Sequence, residues 1–335
     1  MKGFAKQFKD LPDYILKITY QIWEDKDVEA IRDYYADTPT VSLPTPTRSP
    51  AGVIYGAGPV IKATYATLKM FPDRQLLAED VIWIGNDDEG YLSSHRILSR
   101  ASHLHDGVYG KATGKKLVYR VIADCACKNN QVYDEWLVKD EGAIVRQLGI
   151  DPKQYASNLI TSEGGPDNAL APFNEHTPCE SLYKSPRLAK SNPGQTYAEI
   201  LKAIMSSDNE AIEQNYDRAI QQFQPGGFVT NGREEVASFW NNLRSVFPDA
   251  LFNVEHVSFT EEKDQPKKAA IRWSLVGKHD GQGNFGVPSG ANVYVMGINH
   301  AEFGPRGIKN EWVLFDETMI SVSYTHLTLP TNREV

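Results

Sequence analysis

Two stretches, FPDRQLLAEDVIWI from Phe71 and FPDALFNVEHVSFT from Phe247, share an opening turn and a β-rich continuation at an offset of 176 residues. Working outward, LHDGVYGKATGKK with His105 meets KHDGQGNFGVPSGAN with His279, at an offset of 174 that a longer second loop would explain. VYDEWLVKDE then sets Trp136 against Trp312 of IKNEWVLFDE, again 176 apart, and DVEAI from Asp27 answers DNEAI from Asp208. Four anchors in one order identify two copies of one domain, since similarity at a fixed period is what a repeat leaves in a sequence.

Each copy is helical first and stranded later. Tyr14, Ile15, Ile18 and Ile22 recur at helical spacing, as do Ile200, Leu201 and Ile204, and Asp27 and Asp208 are suited to cap helices. Runs such as VIWI, YLSSHRILSRASHL, KLVYRVIADCAC and QVYDEWLVKD follow, rich in β-branched and aromatic residues and separated by Asn, Asp and Gly; they read as strands. The pattern predicts an α+β fold of two tandem units, each a curved antiparallel sheet with N-terminal helices on one side. Residues 1–150 form the first expected domain and 196–322 the second. Residues 151–195, with Pro152, Pro166, Pro172, Pro178, Pro186 and Pro193, read as the connection between them. The last stretch, SYTHLTLPTNREV from Ser323, has no counterpart in the first copy and is expected to be a non-native tail that leaves the second copy without a closing helix.

Composition narrows the function classes. The chain has 335 residues, enough for two cores, and its net charge of -8 gives no reason to approach nucleic acid. No segment approaches the apolar length of a membrane helix, and the expected location is cytoplasmic. Cys125 and Cys127 lie two apart in a strand-like run and read as reduced core residues, with no second pair to make a metal site. G-x-S-x-G, H-E-x-x-H and P-loop patterns are absent, so hydrolase, zincin and nucleotidase chemistry lacks support. The G-A-G at Gly56–Gly58 reads as a turn.

Chemistry concentrates in a recurring H-D-G followed by E-W-x-x-x-D, which pairs His105 with Asp140 and His279 with Asp316. Residues two and four apart on a strand share a face, so Trp136 and Asp140 are expected to project together, as are Trp312 and Asp316. A carboxylate beside aromatic surface is desolvated and becomes a stronger base once ionised. The same parity places His95, Ile97, His103 and His105 on one face, and Ile271, Trp273, Leu275 and His279 on one face, unless a bulge intervenes. Trp83 and Trp273, with Trp136, Trp312, His95 and His103, are the candidate substrate-binding residues.

The segment from Arg100 to Ile150, with H-x-G, an aromatic-Gly pair, a TG turn and E-W-x-x-x-D before a short apolar helix, resembles the SnoaL-like polyketide cyclase and ester cyclase branch of the NTF2-like superfamily. The likeness runs over about Pro12–Ile150 and again over Thr196–Ile320. It implies cone-shaped α+β barrels, each enclosing one pocket, with Asp140 and Asp316 as general bases and His105 and His279 beside the developing enolate oxygen. It implies no metal or organic cofactor. The partner it implies is a small apolar carbonyl compound, polyketide- or ester-like, and the two copies would form an intramolecular pseudo-dimer, with further homo-oligomerisation left open. A non-catalytic binding module and an epoxide-hydrolase-like water activation using Arg272 with Asp316 stay open as alternatives.

Overall fold

The computed structural model describes residues 1–35, 44–169, 171–177, 180–184, 191–208 and 210–328. Two compact units divide the chain: Met1–Lys139 with Thr177–Ala189, and Asp140–His176 with Lys190–Val335.

The first unit sets α1 (Leu11–Thr19), α2 (Ile31–Tyr34) and α3 (Ala57–Met70) against a six-stranded sheet. Its strands are β1 (Pro46–Ser49), β2 (Gly52–Tyr55), β3 (Gln75–Asn86), β4 (Gly90–Ser102), β5 (Lys116–Lys128) and β6 (Gln131–Lys139), in the order β2-β1-β6-β5-β4-β3. Asp10 caps α1 by accepting from the Asp13 N–H, and the helix buries Leu11, Tyr14, Ile15 and Ile18 as its period requires.

The second unit carries α4 (Glu141–Leu148), α5 (Pro152–Ser162), α6 (Pro193–Met205), α7 (Glu210–Asn215), α8 (Arg233–Val246) and α9 (Glu317–Thr328). Its strands β7 (Tyr216–Gln224), β8 (Phe228–Asn231), β9 (Leu251–Thr260), β10 (Lys268–Lys278), β11 (Asn292–Gly304) and β12 (Gly307–Phe315) take the order β8-β7-β12-β11-β10-β9, strand for strand that of the first unit. Register is conserved as well. Ile97 lies opposite Val121 as Trp273 lies opposite Gly297, and both copies carry a bulge at the same place, after Ala78 and after Val254. These bulges add the local bend that curls each sheet into a cone. Each unit is thus a curved six-stranded sheet, a cone with helices packed on its inner face, built twice in the same strand order.

Three features differ from the sequence reading. The sheets are mixed, because β1 runs parallel to β6 and β7 parallel to β12; a long helix-bearing connection returns the chain to the sheet in the same direction. Part of the expected connection is helical. The Asp151–Pro152 pair opens α5, whose Asp151 side chain accepts from the Lys153 and Gln154 N–H groups, and α5 buries Tyr155, Ala156 and Ile160 within the second unit. The second copy also has its closing helix, since α9 runs on through Thr328 and Tyr324 is buried. Pro178, Pro186 and residues 329–335 lie outside the described residues.

Candidate functional site: a carboxyl group inside each cone

Strand parity decides which side chains enter a cone. In β12, Val313 and Phe315 join the core beneath the helices, so Glu311 points inward with them and Trp312 points away. Trp312 is half-buried and stacks on Phe223, ring centroids 5.2 Å apart and nearly coplanar. In β6, Leu137 packs against the first core and Glu135 shares its face. Trp136 faces the other way, under the Arg48 guanidinium at 4.6 Å, beside the buried Arg48–Asp134 ion pair. The expectation that Trp136 and Trp312 line the hollow is corrected on this ground.

Asp140 and Asp316 do not project into the hollow either. Asp140 caps α4, and its carboxyl oxygens accept from the N–H groups of Ala143 (2.9 Å), Gly226 (2.8 Å) and Gly227 (3.2 Å). Gly226 and Gly227 hold left-handed φ of 81° and 78°, and the paired N–H groups they present form an anion cradle. Burial raises the Asp140 pKa to about 6 against the pull of these donors. Asp316 accepts from the Thr318 N–H (2.8 Å), the Thr318 hydroxyl (2.7 Å) and the Met319 N–H (3.3 Å) at the start of α9. Both are helix-terminal acceptors.

The inward carboxyls are therefore the Glu of E-W-x-x-x-D. Glu311 accepts from the Tyr197 hydroxyl (2.6 Å), the Tyr216 hydroxyl (2.8 Å) and Gln222 Nε2 (2.6 Å), all buried. Asn299 Nδ2 donates to the Tyr197 hydroxyl (3.1 Å), which commits that hydroxyl's proton to Glu311, and Asn299 Oδ1 accepts from the Trp273 indole (2.8 Å). Glu135 accepts from the Tyr35 hydroxyl (3.0 Å) and the Thr47 hydroxyl (2.8 Å), with Cys125 Sγ at 3.9 Å. Burial raises both pKa values and the surrounding donors oppose it.

The histidines divide differently from the sequence pairing. His103, not His105, is the structural counterpart of His279. The ring Nδ1 of His103 faces the Thr113 hydroxyl at 3.3 Å as that of His279 faces the Ser289 hydroxyl at 3.1 Å, and Gly107–Gly110 bridges as Gly283–Gly286 does. Across this bend the offset is 176, as it is at Phe71 and Trp136, with no longer second loop. His103 and His279 are fully buried against Phe71 and Phe247 and tie their bends together, while His105 is exposed in a surface groove with Leu68, Lys69, Pro72 and Ala112. Burial, then Lys153, lowers the His279 pKa.

Of the remaining candidates, Trp83 is half-buried and packs on Tyr91, ring centroids 6.0 Å apart. Trp273 fills the second cone between Trp240, Phe252 and Phe315. Trp273→Ala should destabilise the chain by about 3–5 kcal/mol through the cavity it opens, with about 1 kcal/mol more for the stranded Asn299 carbonyl; urea unfolding reads the loss. His95 faces inward between its register neighbours Val81 and Ala123, and burial with Arg96 beside it lowers its pKa to about 4. Arg272 lies opposite His256 on the outward face of β10, and β11 separates it from the strand that leads to Asp316. Among the described residues no three His, Cys, Asp or Glu side chains gather as a metal site, and no helix is long and apolar enough to cross a membrane.

Residues 195–321 match the family model described as SnoaL-like polyketide cyclase. No curated protein matches the chain. Among solved structures, a protein assigned as a SnoaL-like polyketide cyclase from Jannaschia sp. CCS1 is 16% identical, with 41% of this chain covering 97% of that one at a TM-score of 0.35. IdmH, assigned as a polyketide cyclase from Streptomyces antibioticus, is 18% identical over 42% of this chain and 98% of its own, at 0.34. A third, from Acidithiobacillus ferrooxidans and assigned the same way, is 16% identical over 41% and 92%, at 0.34.

Proposed function

We propose, from the match of residues 195–321 to the SnoaL-like polyketide cyclase model and the same strand order in the first unit, that the protein is a cofactor-independent cyclase or isomerase. Its substrate is a small apolar carbonyl compound, and the reaction begins by removal of a proton from the carbon next to the carbonyl. The observation that carries this reading is a buried carboxyl group inside each cone, at matched positions Glu135 and Glu311, with a raised pKa and a tyrosine hydroxyl aimed at it.

Desolvation makes the ionised carboxylate a stronger base than one in water. In the first cone, Glu135 takes the proton and Tyr35 turns its hydroxyl from the neutralised carboxyl to the enolate oxygen, where a preplaced donor lowers the barrier. The carbanion then attacks a second carbonyl, closing a ring, or is reprotonated at another carbon. The Glu replaces Asp140 and Asp316 in the role the sequence resemblance implies for them, because those two carboxylates are held by backbone N–H groups at helix starts. Exchange rates should rise with pH through the raised pKa of the base, since only its ionised form accepts a proton.

Exchange of the α-hydrogen of a 3-oxo ester for deuterium, followed by NMR, tests the reading. Catalysed exchange by the intact chain that disappears in the Glu135→Gln, Glu311→Gln double variant supports it. Exchange that persists in the folded double variant rejects the assignment of the base.

A further inference from the structure

The two cones share strand order and register but not contents. At the matched offset of 176, Trp273 of the second cone is Ile97 in the first, Trp240 is Thr64, Leu275 is Ser99 and Asn299 is Ala123. Each exchange removes side-chain volume. In the second cone the Trp273 indole lies directly on Gly297 and bonds Asn299, and Trp240 packs against it at 6.3 Å, so the inner face of β10 and β11 is covered. In the first cone Val121 stands where Gly297 does, which returns part of that volume, but no indole crosses the strands.

Accessibility follows the substitution pattern. Ala123, Cys125 and Ile97 on the floor of the first cone keep 7%, 7% and 5% of their surface, where Asn299, Ala301 and Trp273 keep 0%, 1% and 0%. Leu137 is half-buried although it faces inward, while its counterpart Val313 is 2% exposed. The first floor is covered less completely than the second.

A second, independent observation marks what the first cone would hold. The second cone has Ile271 where the first has His95, a side chain 98% buried whose Nε2 has no hydrogen-bond partner. A buried ring nitrogen left unmatched costs about 1–3 kcal/mol unless something arrives to pair with it. Its strand neighbours are Ser93 and Ile97 at two residues' spacing and Val81 and Ala123 across the sheet. Ser93 already donates toward the Cys125 carbonyl at 3.4 Å. One unmatched polar atom beside Val81, Ile97 and Ala123 suits a mostly apolar molecule with one oxygen to pair.

We propose that the two cones divide their labour: the first is the binding cone, taking a neutral, flat apolar molecule whose hydroxyl or carbonyl oxygen pairs with His95 Nε2, and the second is plugged by Trp240 and Trp273 and serves as scaffold. The identity of the occupant as substrate rests on the proton-transfer reading; its binding does not. His95 is a binding residue here, two strands from Glu135, with the small side chains of Ala123 and Cys125 between them.

2-Naphthol is a suitable probe, carrying one hydroxyl on a flat apolar body, and its fluorescence titration against the full chain reports affinity and stoichiometry. One site per chain is expected, with a shift of the His95 Nε2 resonance on saturation. His95→Phe should weaken binding by about tenfold or more, the loss of one buried hydrogen bond, and His95→Gln should restore most of it. Ile97→Trp copies the plug of the second cone and should abolish binding. Should Ile97→Trp fail to fold, the His95→Phe and His95→Gln pair decides alone. Two sites per chain, no binding, wild-type affinity in folded Ile97→Trp or in His95→Phe, or an unmoved His95 resonance overturns the proposal. Binding as expected with no catalysed exchange by the intact chain would reject the enzymatic reading and leave the binding cone standing.

Discussion

Glu135→Gln is expected to lower α-hydrogen exchange by about 10²- to 10⁴-fold, the usual contribution of a positioned general base. The amide keeps the size of the side chain and an oxygen for the Tyr35 and Thr47 hydroxyls, so the loss should fall on rate more than on folding. Glu311 accepts from two tyrosines and a glutamine in a sealed interior. Glu311→Gln should therefore cost stability, because an amide N–H₂ faces donors where a carboxylate accepted from them. Measuring exchange and unfolding for both single variants separates the roles. A rate loss confined to Glu311→Gln would move the chemistry to the second cone.

Asp140→Ala should destabilise the second unit by about 2–3 kcal/mol, the cost of a lost helix cap together with a buried donor left unmatched. Three N–H groups lose their acceptor at once, two of them from consecutive glycines whose left-handed φ aims both at the carboxylate. Asp140→Asn keeps one oxygen for Ala143 and Gly226 and sets its amide against Gly227, so its cost should be nearer 1 kcal/mol.

A pH signature accompanies this loss. Burial raises the Asp140 pKa from 3.8 to about 6, so the folded chain holds a proton that the unfolded chain releases between those values. The contribution of this group to stability is then largest below pH 4 and falls by about 3 kcal/mol as pH rises through 6. Above that it is flat. Urea unfolding at pH 4 and pH 7 should show this slope in the wild type relative to Asp140→Asn, and equal slopes would mean that the backbone donors cancel the effect of burial.

The repeat was legible because Phe71, Trp136 and their partners at 176 residues' distance mark turns and strands that any copy of the fold must keep. The histidine pairing misled for a simple reason. SHLHDG carries two histidines two residues apart, and His105 matched the H-D-G string while His103 holds the bend. The connection hid a helix because α5 begins at a proline in a proline-rich stretch, where Asp151–Pro152 is a start signal that reads as one more break.

What the sequence determined by itself was alternation: Glu135 and Trp136, like Glu311 and Trp312, had to lie on opposite faces of one strand. Which face turned inward was decided only by tertiary structure. Both faces of β6 are buried, with Trp136 and Val138 on one and Glu135 on the other, so hydropathy offered no contrast from which to choose. The packing of helices over Leu137, Val313 and Phe315 made the choice, and with it placed a glutamate, rather than the aspartate four residues beyond the tryptophan, inside each cone.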